Sequence, residues 1–112
     1  MKDLDSTLAA LAEPTRRGIV DLLSQRPRRA GELAAAFDMS PPAMSRHLRV
    51  LRRRGLIEET RAEHDARLHV FQLRRERFTE LSEWIVGVER FWNDQLDSFR
   101  AHVARRGKGK RP

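Results

Sequence analysis

The sequence predicts one mainly α-helical domain with a single small β-hairpin, in the order α-α-α-α-β-β-α. Three observations lead to this fold class. Apolar residues recur at helical spacing from Leu4 to about Arg54, the period changes to short β-type runs after Gly55, and a long helical stripe resumes at Glu76. A chain of 112 residues is long enough for one domain with a single core.

Two helices are predicted before residue 30. The first begins at Asp5 or Ser6, either of which can cap it, and runs to Ala12. Pro14 opens the second helix, because a proline at the first helical position lacks an N–H that would have no partner there. The Arg26-Pro27 pair ends this helix.

A short helix and a tight turn are predicted next. The helix covers roughly residues 30–37 and lacks a Ser, Thr, Asp or Asn cap, so the sequence does not define its start. Residues 38–40 form the turn, and Ser40 can cap a fourth helix that runs to about Arg54. We expect this helix to begin properly at Pro42, because a proline disfavours the α conformation of the residue before it.

The fourth helix has an apolar side and a side rich in arginine. At about 100° per residue, Met44, Leu48 and Leu51 fall together and define the side that is buried. The opposite side carries Pro42, Arg46, Arg49 and Arg53, with Ser45 on its flank. Residues 41–55 contain five arginines, one histidine and no acidic residue. This local cluster is a stronger signal than the net charge of the chain.

Two short strands follow Gly55, at residues 56–61 and 68–73, and the polar residues 62–67 between them form a long hairpin tip. Three helices followed by a two-stranded hairpin make up a winged helix. The short helix, the tight turn and the arginine-rich helix form the helix-turn-helix inside it. The sequence therefore predicts that the fourth helix is a recognition helix and that the hairpin is a wing.

A long helix and a basic tail complete the predicted order. The helix covers residues 76–104, and Gly87 lies inside it. We place a winged helix-turn-helix domain for DNA binding and dimerisation at residues 1–104, and a basic, disordered tail at residues 105–112. The tail holds five of the 23 basic residues and no acidic residue, so it accounts for most of the net charge of +7.

The arginine side of the recognition helix indicates contact with double-stranded DNA. An arginine fork binds guanine O6 and N7 and also neutralises phosphate. We expect Pro42, Ser45 and Arg46 to read bases, and Arg49 and Arg53 to hold phosphates. With the helix start and the wing included, the predicted DNA-binding residues are Ser40, Pro42, Ser45, Arg46, His47, Arg49, Arg53, His64 and Arg67. An alternative is that the same basic side meets an acidic protein partner.

The apolar stripe of the last helix is larger than one small core can cover, which predicts a homodimer. The predicted interface residues are Leu4, Leu8, Ile85, Val88, Trp92, Leu96 and Phe99. A small-molecule effector is not identified by the sequence, and an apolar effector pocket at the dimer seam remains an open alternative.

Several classes of protein are not expected. The chain has no cysteine, so disulfides, thiolate metal sites and a cysteine nucleophile are excluded. No catalytic residues, cofactor or metal site are predicted, and a two-histidine site at His64 and His69 is not favoured over ordinary surface histidines. We also expect no secretory signal and no membrane span, and hence a cytoplasmic protein.

The chain resembles the ArsR/SmtB family of bacterial winged-helix repressors over nearly its whole length. The motifs are LAALAEPTRRGI at residues 8–19, GELA at 31–34, SPPAMSRHLRVL at 40–51, GLI at 55–57 and RLHVFQL at 67–73. The resemblance implies a dimer built from the first and last helices, which presents two recognition helices to successive major grooves of a palindromic operator. The resemblance also implies that the protein is a transcriptional repressor and not an enzyme.

The family's metal sites do not carry over to this sequence. The cysteine pair that its thiolate sensors place on the helix with the GELA motif is missing, and His102 has no carboxylate three residues further on. The sequence is therefore similar to the metal-independent branch of the family.

Overall fold

The structure, a computed structural model, describes residues 2–109. Within these residues, five helices and two strands follow in the order α-α-α-α-β-β-α, which confirms the fold class. The elements are α1 Lys2–Leu11, α2 Pro14–Gln25, α3 Ala30–Ala36, α4 Pro41–Arg53, β1 Ile57–Ala62, β2 Asp65–Leu73 and α5 Arg75–Gly109. Helices α3 and α4 form the helix-turn-helix, and β1 and β2 form the wing.

Helix α1 begins earlier than the sequence analysis places it. It starts at Lys2, so Asp5 and Ser6 lie inside the helix and the predicted cap at these residues is wrong. Asp3 and Asp5 lie in its first turn, where negative side chains favour the positive end of the helix dipole. No proline or glycine interrupts the segment, and the helix therefore extends to the start of the described chain.

The proline-led helices agree closely with the sequence. Helix α2 begins at Pro14 and ends before Arg26, as predicted. Helix α4 begins at Pro41, one residue before the predicted start, with the Ser40 Oγ accepting a hydrogen bond from the Ala43 N–H at 3.3 Å. Both prolines are tolerated because the first N–H groups of a helix have no partner within it.

The start of α3, which the sequence left undefined, is stabilised by a side chain from inside the helix. The Glu32 Oε1 accepts a hydrogen bond from the backbone N–H of Arg29 at 3.1 Å. This bond is the main reason why the pKa of Glu32 lies below its ordinary value. A carboxylate in the first turn thus binds the N–H of the N-cap residue and helps to define the start of a helix whose N-cap side chain forms no capping hydrogen bond.

More residues of the wing lie in β-strands than predicted. Strands β1 and β2 are antiparallel, with Ile57 opposite Leu73 and Glu59 opposite Phe71. Only Glu63 and His64 lie between the strands, so the predicted tip at residues 62–67 is too long. The polar residues there are held by local hydrogen bonds, such as that from Arg61 Nη1 to the Ala66 carbonyl at 2.6 Å, which strand periodicity does not reveal.

A backbone bridge between residue 28 and the wing was missed by the sequence analysis. The Arg28 N–H donates to the Phe71 carbonyl at 3.1 Å, and the Phe71 N–H donates to the Arg28 carbonyl at 2.7 Å. The pair ties the segment between α2 and α3 to β2. A single bridging residue has no periodic pattern, and the sequence therefore carries no signal for it.

The core of residues 2–80 lies between α2, α3, α4 and the hairpin. Its buried members come from every one of these elements and are Ile19, Leu23, Leu33, Ala34, Met44, Leu48, Leu51, Leu56, Ile57 and Phe71, joined by Ala10 of α1. Met44, Leu48 and Leu51 are the three residues predicted for the buried side of α4. The positive φ of 78° at Gly55 lets the chain turn from α4 into β1.

Helix α5 is longer than predicted at its C-terminal end. It continues to Gly109, past the boundary placed at residue 104, so the part of the predicted tail at residues 105–109 is helical. Arginine is a good helix former and favours the last turns of a helix, which accounts for the extension through Arg105 and Arg106. Residues 110–112 of the predicted tail lie outside the described residues. The chain divides into two compact units after Glu80.

Candidate nucleic-acid interface

The exposed side of α4 carries a row of arginines. Arg46, Arg49 and Arg53 are all exposed, whereas Met44 and Leu48 are buried. The two sides of the helix are therefore separated as the sequence predicted. Because the apolar side is packed in the core, the helix cannot rotate, and the three guanidinium groups face outward.

The beginning of α4 presents small and polar groups. Ser40, Pro42 and Ser45 are exposed. The Ser40 side chain satisfies the N–H of Ala43, while the two prolines contribute no N–H group. This end of the helix combines a positive dipole end with low steric bulk, which permits close approach of a groove edge or a phosphate.

The five arginines of α4 and its C-cap divide by their partners. Among the described residues, Arg46, Arg49 and Arg53 form no ion pair with a carboxylate. In contrast, Arg52 Nη1 lies 3.3 Å from Glu59 Oε2. Arg54 Nη1 donates to the Ser6 carbonyl at 3.2 Å and joins the end of α4 to α1. Three cations of this cluster are therefore available to an external ligand, and two have internal roles.

His47 lies on α4 but points towards the start of α2. Its Nδ1 is 3.5 Å from Arg16 Nη1 and 3.7 Å from Glu13 Oε2, and its side chain is 23% exposed. Arg16 Nε in turn donates to the Ala10 carbonyl at the end of α1, at 2.8 Å. The sequence analysis placed His47 among the DNA-binding residues, whereas this geometry supports packing between helices.

The two predicted wing residues differ in their surroundings. His64 is exposed at the hairpin tip. Arg67 is exposed too, but its Nε and Nη2 donate to the two carboxylate oxygens of Asp65, each at 3.1 Å. The hydrogen bond between these side chains lowers the pKa of Asp65 and raises the pKa of Arg67. The positive charge of Arg67 is thus compensated locally, which the sequence analysis did not anticipate.

An open groove of about 500 Å³ runs between α4 and the wing. Its walls are mostly polar on the side of α4 and partly apolar on the side of the hairpin, and they consist of Ala30, Ser45, Leu48, Arg49, Arg52, Arg53, Glu59 and Phe71. Glu59 is the one acidic group among these residues, and sequence reasoning missed it. The sequence shows an acidic residue on the strand that follows the recognition helix, but its position opposite Phe71 and in the groove is seen in the structure alone.

The described residues do not assemble a metal centre. Across residues 2–109, no group of three or more histidine or acidic side chains is arranged to hold a metal ion. Along the same part of the chain, no helix combines the length and apolar character needed to cross a membrane.

Comparison with known proteins decides the family. A family model described as "Bacterial regulatory protein, arsR family" matches residues 13–59, which contain α2, α3 and α4. Over 95 residues the chain is 36% identical to the HTH-type transcriptional regulator Rv2034 of Mycobacterium tuberculosis, and the match covers 85% of this chain and 83% of that protein. The chain belongs to the ArsR family.

Other ArsR-type proteins agree with this assignment. The crystal structure of an ArsR family transcriptional regulator is similar with a TM-score of 0.70 at 31% identity, covering 81% of this chain and 97% of that one. The transcriptional repressor SdpR of Bacillus subtilis is 36% identical over 58 residues, which are 52% of this chain and 64% of SdpR. As an ArsR-family member, the chain is a DNA-binding transcriptional regulator with a winged helix-turn-helix, and not an enzyme.

Proposed function

We propose that this ArsR-family protein is a repressor that binds a palindromic operator as a homodimer in the cytoplasm. The observation that carries the proposal is the row formed by Arg46, Arg49 and Arg53, which are exposed and outside any ion pair of the described residues. An uncompensated cationic row on a packed helix matches the charge and width of a DNA major groove. Family membership favours this function over the alternative of an acidic protein partner.

The start of α4 reads bases in this proposal, and its later turns hold the backbone. Arg46 lies closer to the capped end, where its fork can bind guanine, with Pro42 and Ser45 beside it. Arg49 and Arg53 lie one and two turns further along and neutralise phosphates. The positive end of the helix dipole favours a phosphate at the start of α4, but the backbone there offers no free N–H, because Pro41 and Pro42 have none and the Ala43 N–H is bonded to Ser40 Oγ.

The wing contributes less charge to the interface than its sequence suggests. We propose that His64, exposed at the tip, tracks the DNA backbone or the adjacent minor groove. Arg67 contacts a phosphate only in competition with Asp65, because the carboxylate already accepts two hydrogen bonds from its guanidinium group. We assign His47 to the positioning of α4 against α2 rather than to direct contact with DNA.

The dimer forms through α5. Ile85, Val88, Trp92 and Phe99 are between 42% and 64% exposed in the single chain, and Leu96 is half-buried. In α1, Leu8 is 38% exposed, whereas Leu4 is only 8% exposed and has little surface left for a partner. We therefore propose Leu8 and the α5 stripe as the interface, and we infer that operator binding requires no metal ion.

The experiment that tests this function separates base reading from phosphate contact. Arg46→Ala weakens operator binding by about 1–3 kcal/mol and relaxes the preference at one base pair of each half-site. Arg49→Ala weakens binding to operator and scrambled DNA alike, and lowers the slope of log K against log salt by about one unit. The measurement is binding of both DNAs across a salt series.

Arg46→Lys is the matched variant, since it keeps the charge but loses the planar fork. It is expected to retain the salt slope of the wild type while losing the base preference. The alanine variants of Arg46 and Arg49 should unfold like the wild type, because both side chains lie opposite the buried side of α4. If Arg46→Ala and Arg49→Ala both bind DNA like the wild type, the recognition-helix assignment is wrong and the protein-partner alternative gains.

A further inference from the structure

Glu59 is an acidic residue in the middle of a basic groove. Its Oε2 lies 3.3 Å from Arg52 Nη1 on α4, and its Oε1 lies 3.0 Å from His69 Nδ1 on β2. Both oxygens of one carboxylate are therefore used, one towards the recognition helix and one within the wing. The Glu59 side chain is 30% exposed, so the group is accessible from the groove but partly shielded.

Arg52 lines the same groove as Arg49 and Arg53. It differs from these two neighbours in having a carboxylate partner within the described residues. A guanidinium group at this position, without such a partner, would be a third cation facing the DNA backbone from the last turns of α4. The ion pair directs it towards β1 instead.

We propose that Glu59 is a positioning residue, which keeps Arg52 out of contact with DNA phosphates and so limits sequence-independent binding. Phosphate contacts add affinity for every DNA sequence and carry no sequence information. Fewer such contacts lower the affinity for all DNA and leave the operator preference to the base-reading residues. The inference rests on the proposed DNA-binding role of α4, and Glu59 acts on DNA through Arg52.

The test compares Glu59→Gln with Glu58→Gln. Both variants remove one negative charge from β1, but Glu58 accepts its hydrogen bond from Gln72 Nε2, at 2.8 Å, and has no arginine partner among the residues that the structure describes. Glu59→Gln is expected to tighten binding to scrambled DNA several-fold and to steepen the salt slope by about one unit, which is about a fourfold extra loss between 50 and 200 mM salt. Operator binding should tighten by the same factor, so the ratio of operator to scrambled affinity should stay that of the wild type.

Arg52→Ala completes a double-mutant cycle. In the wild-type background it should change DNA binding and the salt slope little, because Arg52 is already engaged by Glu59. In the Glu59→Gln background it should remove the gained affinity and return the salt slope to that of the wild type. Thermal unfolding of all variants is followed in parallel, since a purely structural role of the pair would change the midpoint but not the slope.

The outcomes distinguish the inference from the function on which it rests. If Glu59→Gln and Glu58→Gln change the salt slope equally, or if Glu59→Gln gains the same affinity without Arg52, the inference is wrong while the DNA-binding function stands. The first result would indicate a general charge effect, and the second would indicate direct repulsion of phosphate by Glu59. If the wild type shows no salt-dependent preference for its operator, the proposed function itself is wrong.

Discussion

The Glu13 carboxylate shows how one side chain can join two helices that are far apart along the chain. Its Oε2 accepts a hydrogen bond from the Arg16 N–H at 2.8 Å, which caps α2, and it also lies near His47 of α4. Burial acts to raise the pKa of Glu13, but the N–H groups of Arg16 and Thr15 and the charges of His47 and Arg16 together outweigh it. The pKa of Glu13 is therefore lowered, which makes its charged form a stabilising one.

We predict that Glu13→Ala lowers the free energy of unfolding by about 1 kcal/mol at pH 7, the usual cost of removing an N-cap side chain. A group whose pKa is lowered by folding stabilises the protein above its unfolded value, about 4.3 for Glu, and loses this contribution as the pH falls through the folded value. The difference between variant and wild type should thus shrink in strong acid. Urea unfolding at pH 7 and near pH 3 measures it.

Glu83→Ala serves as the control, because Glu83 is exposed on α5 and forms no ion pair with another described residue. It should leave the free energy of unfolding nearly unchanged at both pH values. A deficit in Glu13→Ala that stays the same from pH 7 to pH 3 would show that the charge of Glu13 is not what stabilises α2.

At the scale of elements, the packing of α2 against the end of α3 depends on a glycine. A Cβ atom at Gly18 would lie 2.7 Å from Cε1 of the Phe37 ring, closer than real contacts allow. Phe37 is itself packed against the core. The absence of a side chain at Gly18 therefore permits the close approach of α2 to the helix that precedes the turn.

We predict that Gly18→Ala destabilises the protein by up to about 2 kcal/mol in total, because overpacking typically costs about 1–3 kcal/mol. This cost exceeds the gain of about 1 kcal/mol that alanine brings to a helix interior. Gly31→Ala is the matched control in α3, since no atom lies within 4 Å of the added Cβ. It should stabilise the protein by about 0.5–1 kcal/mol.

Thermal and urea unfolding of both variants gives the comparison. Because the two substitutions make the same chemical change in two helices, opposite signs would identify the contact with Phe37 as the cause. Equal effects of Gly18→Ala and Gly31→Ala would mean that the Phe37 ring moves aside at no cost.

At the scale of the whole molecule, the exposed apolar surface is concentrated on α5. Trp84, Phe91 and Val103 are between 46% and 65% exposed, in addition to the interface residues proposed above. Contiguous apolar surface of this kind on a monomer marks an interaction site. This surface of α5 therefore indicates a binding partner, and we propose that the partner is a second copy of the chain.

We predict that the wild type has a mass of about twice 13.1 kDa by light scattering at micromolar concentration. Trp92→Glu should shift it towards the monomer, because an unpaired charge would be buried in the interface. Val86→Glu is the control on the same helix, 46% exposed and about 120° around the axis from Trp92. Dissociation by both variants alike, or a wild-type monomer that binds its operator tightly, would contradict the proposed interface.

Local patterns determined most of the fold. The apolar periods, Pro14, Ser40 and Gly55 predicted the element order and the correct buried side of α4, because hydrophobic spacing and capping act within a few residues. The boundaries that were wrong are the start of α1, where Asp5 and Ser6 lie inside the helix, the wing tip, and the end of α5, where the helix continues past Gly107. Such ends depend on hydrogen bonds that the chain forms only after folding.

Features of the candidate site also divide into those that the sequence predicted and those that only the structure revealed. The sequence by itself determined that α4 presents arginines on one side, since the helical period places Arg46, Arg49 and Arg53 opposite its apolar residues. Only the tertiary structure decided which cations remain uncompensated, because the partners of Arg52 and His47 come from β1 and α2. An ion pair between elements depends on the three-dimensional placement of two charges, and no one-dimensional pattern specifies that distance.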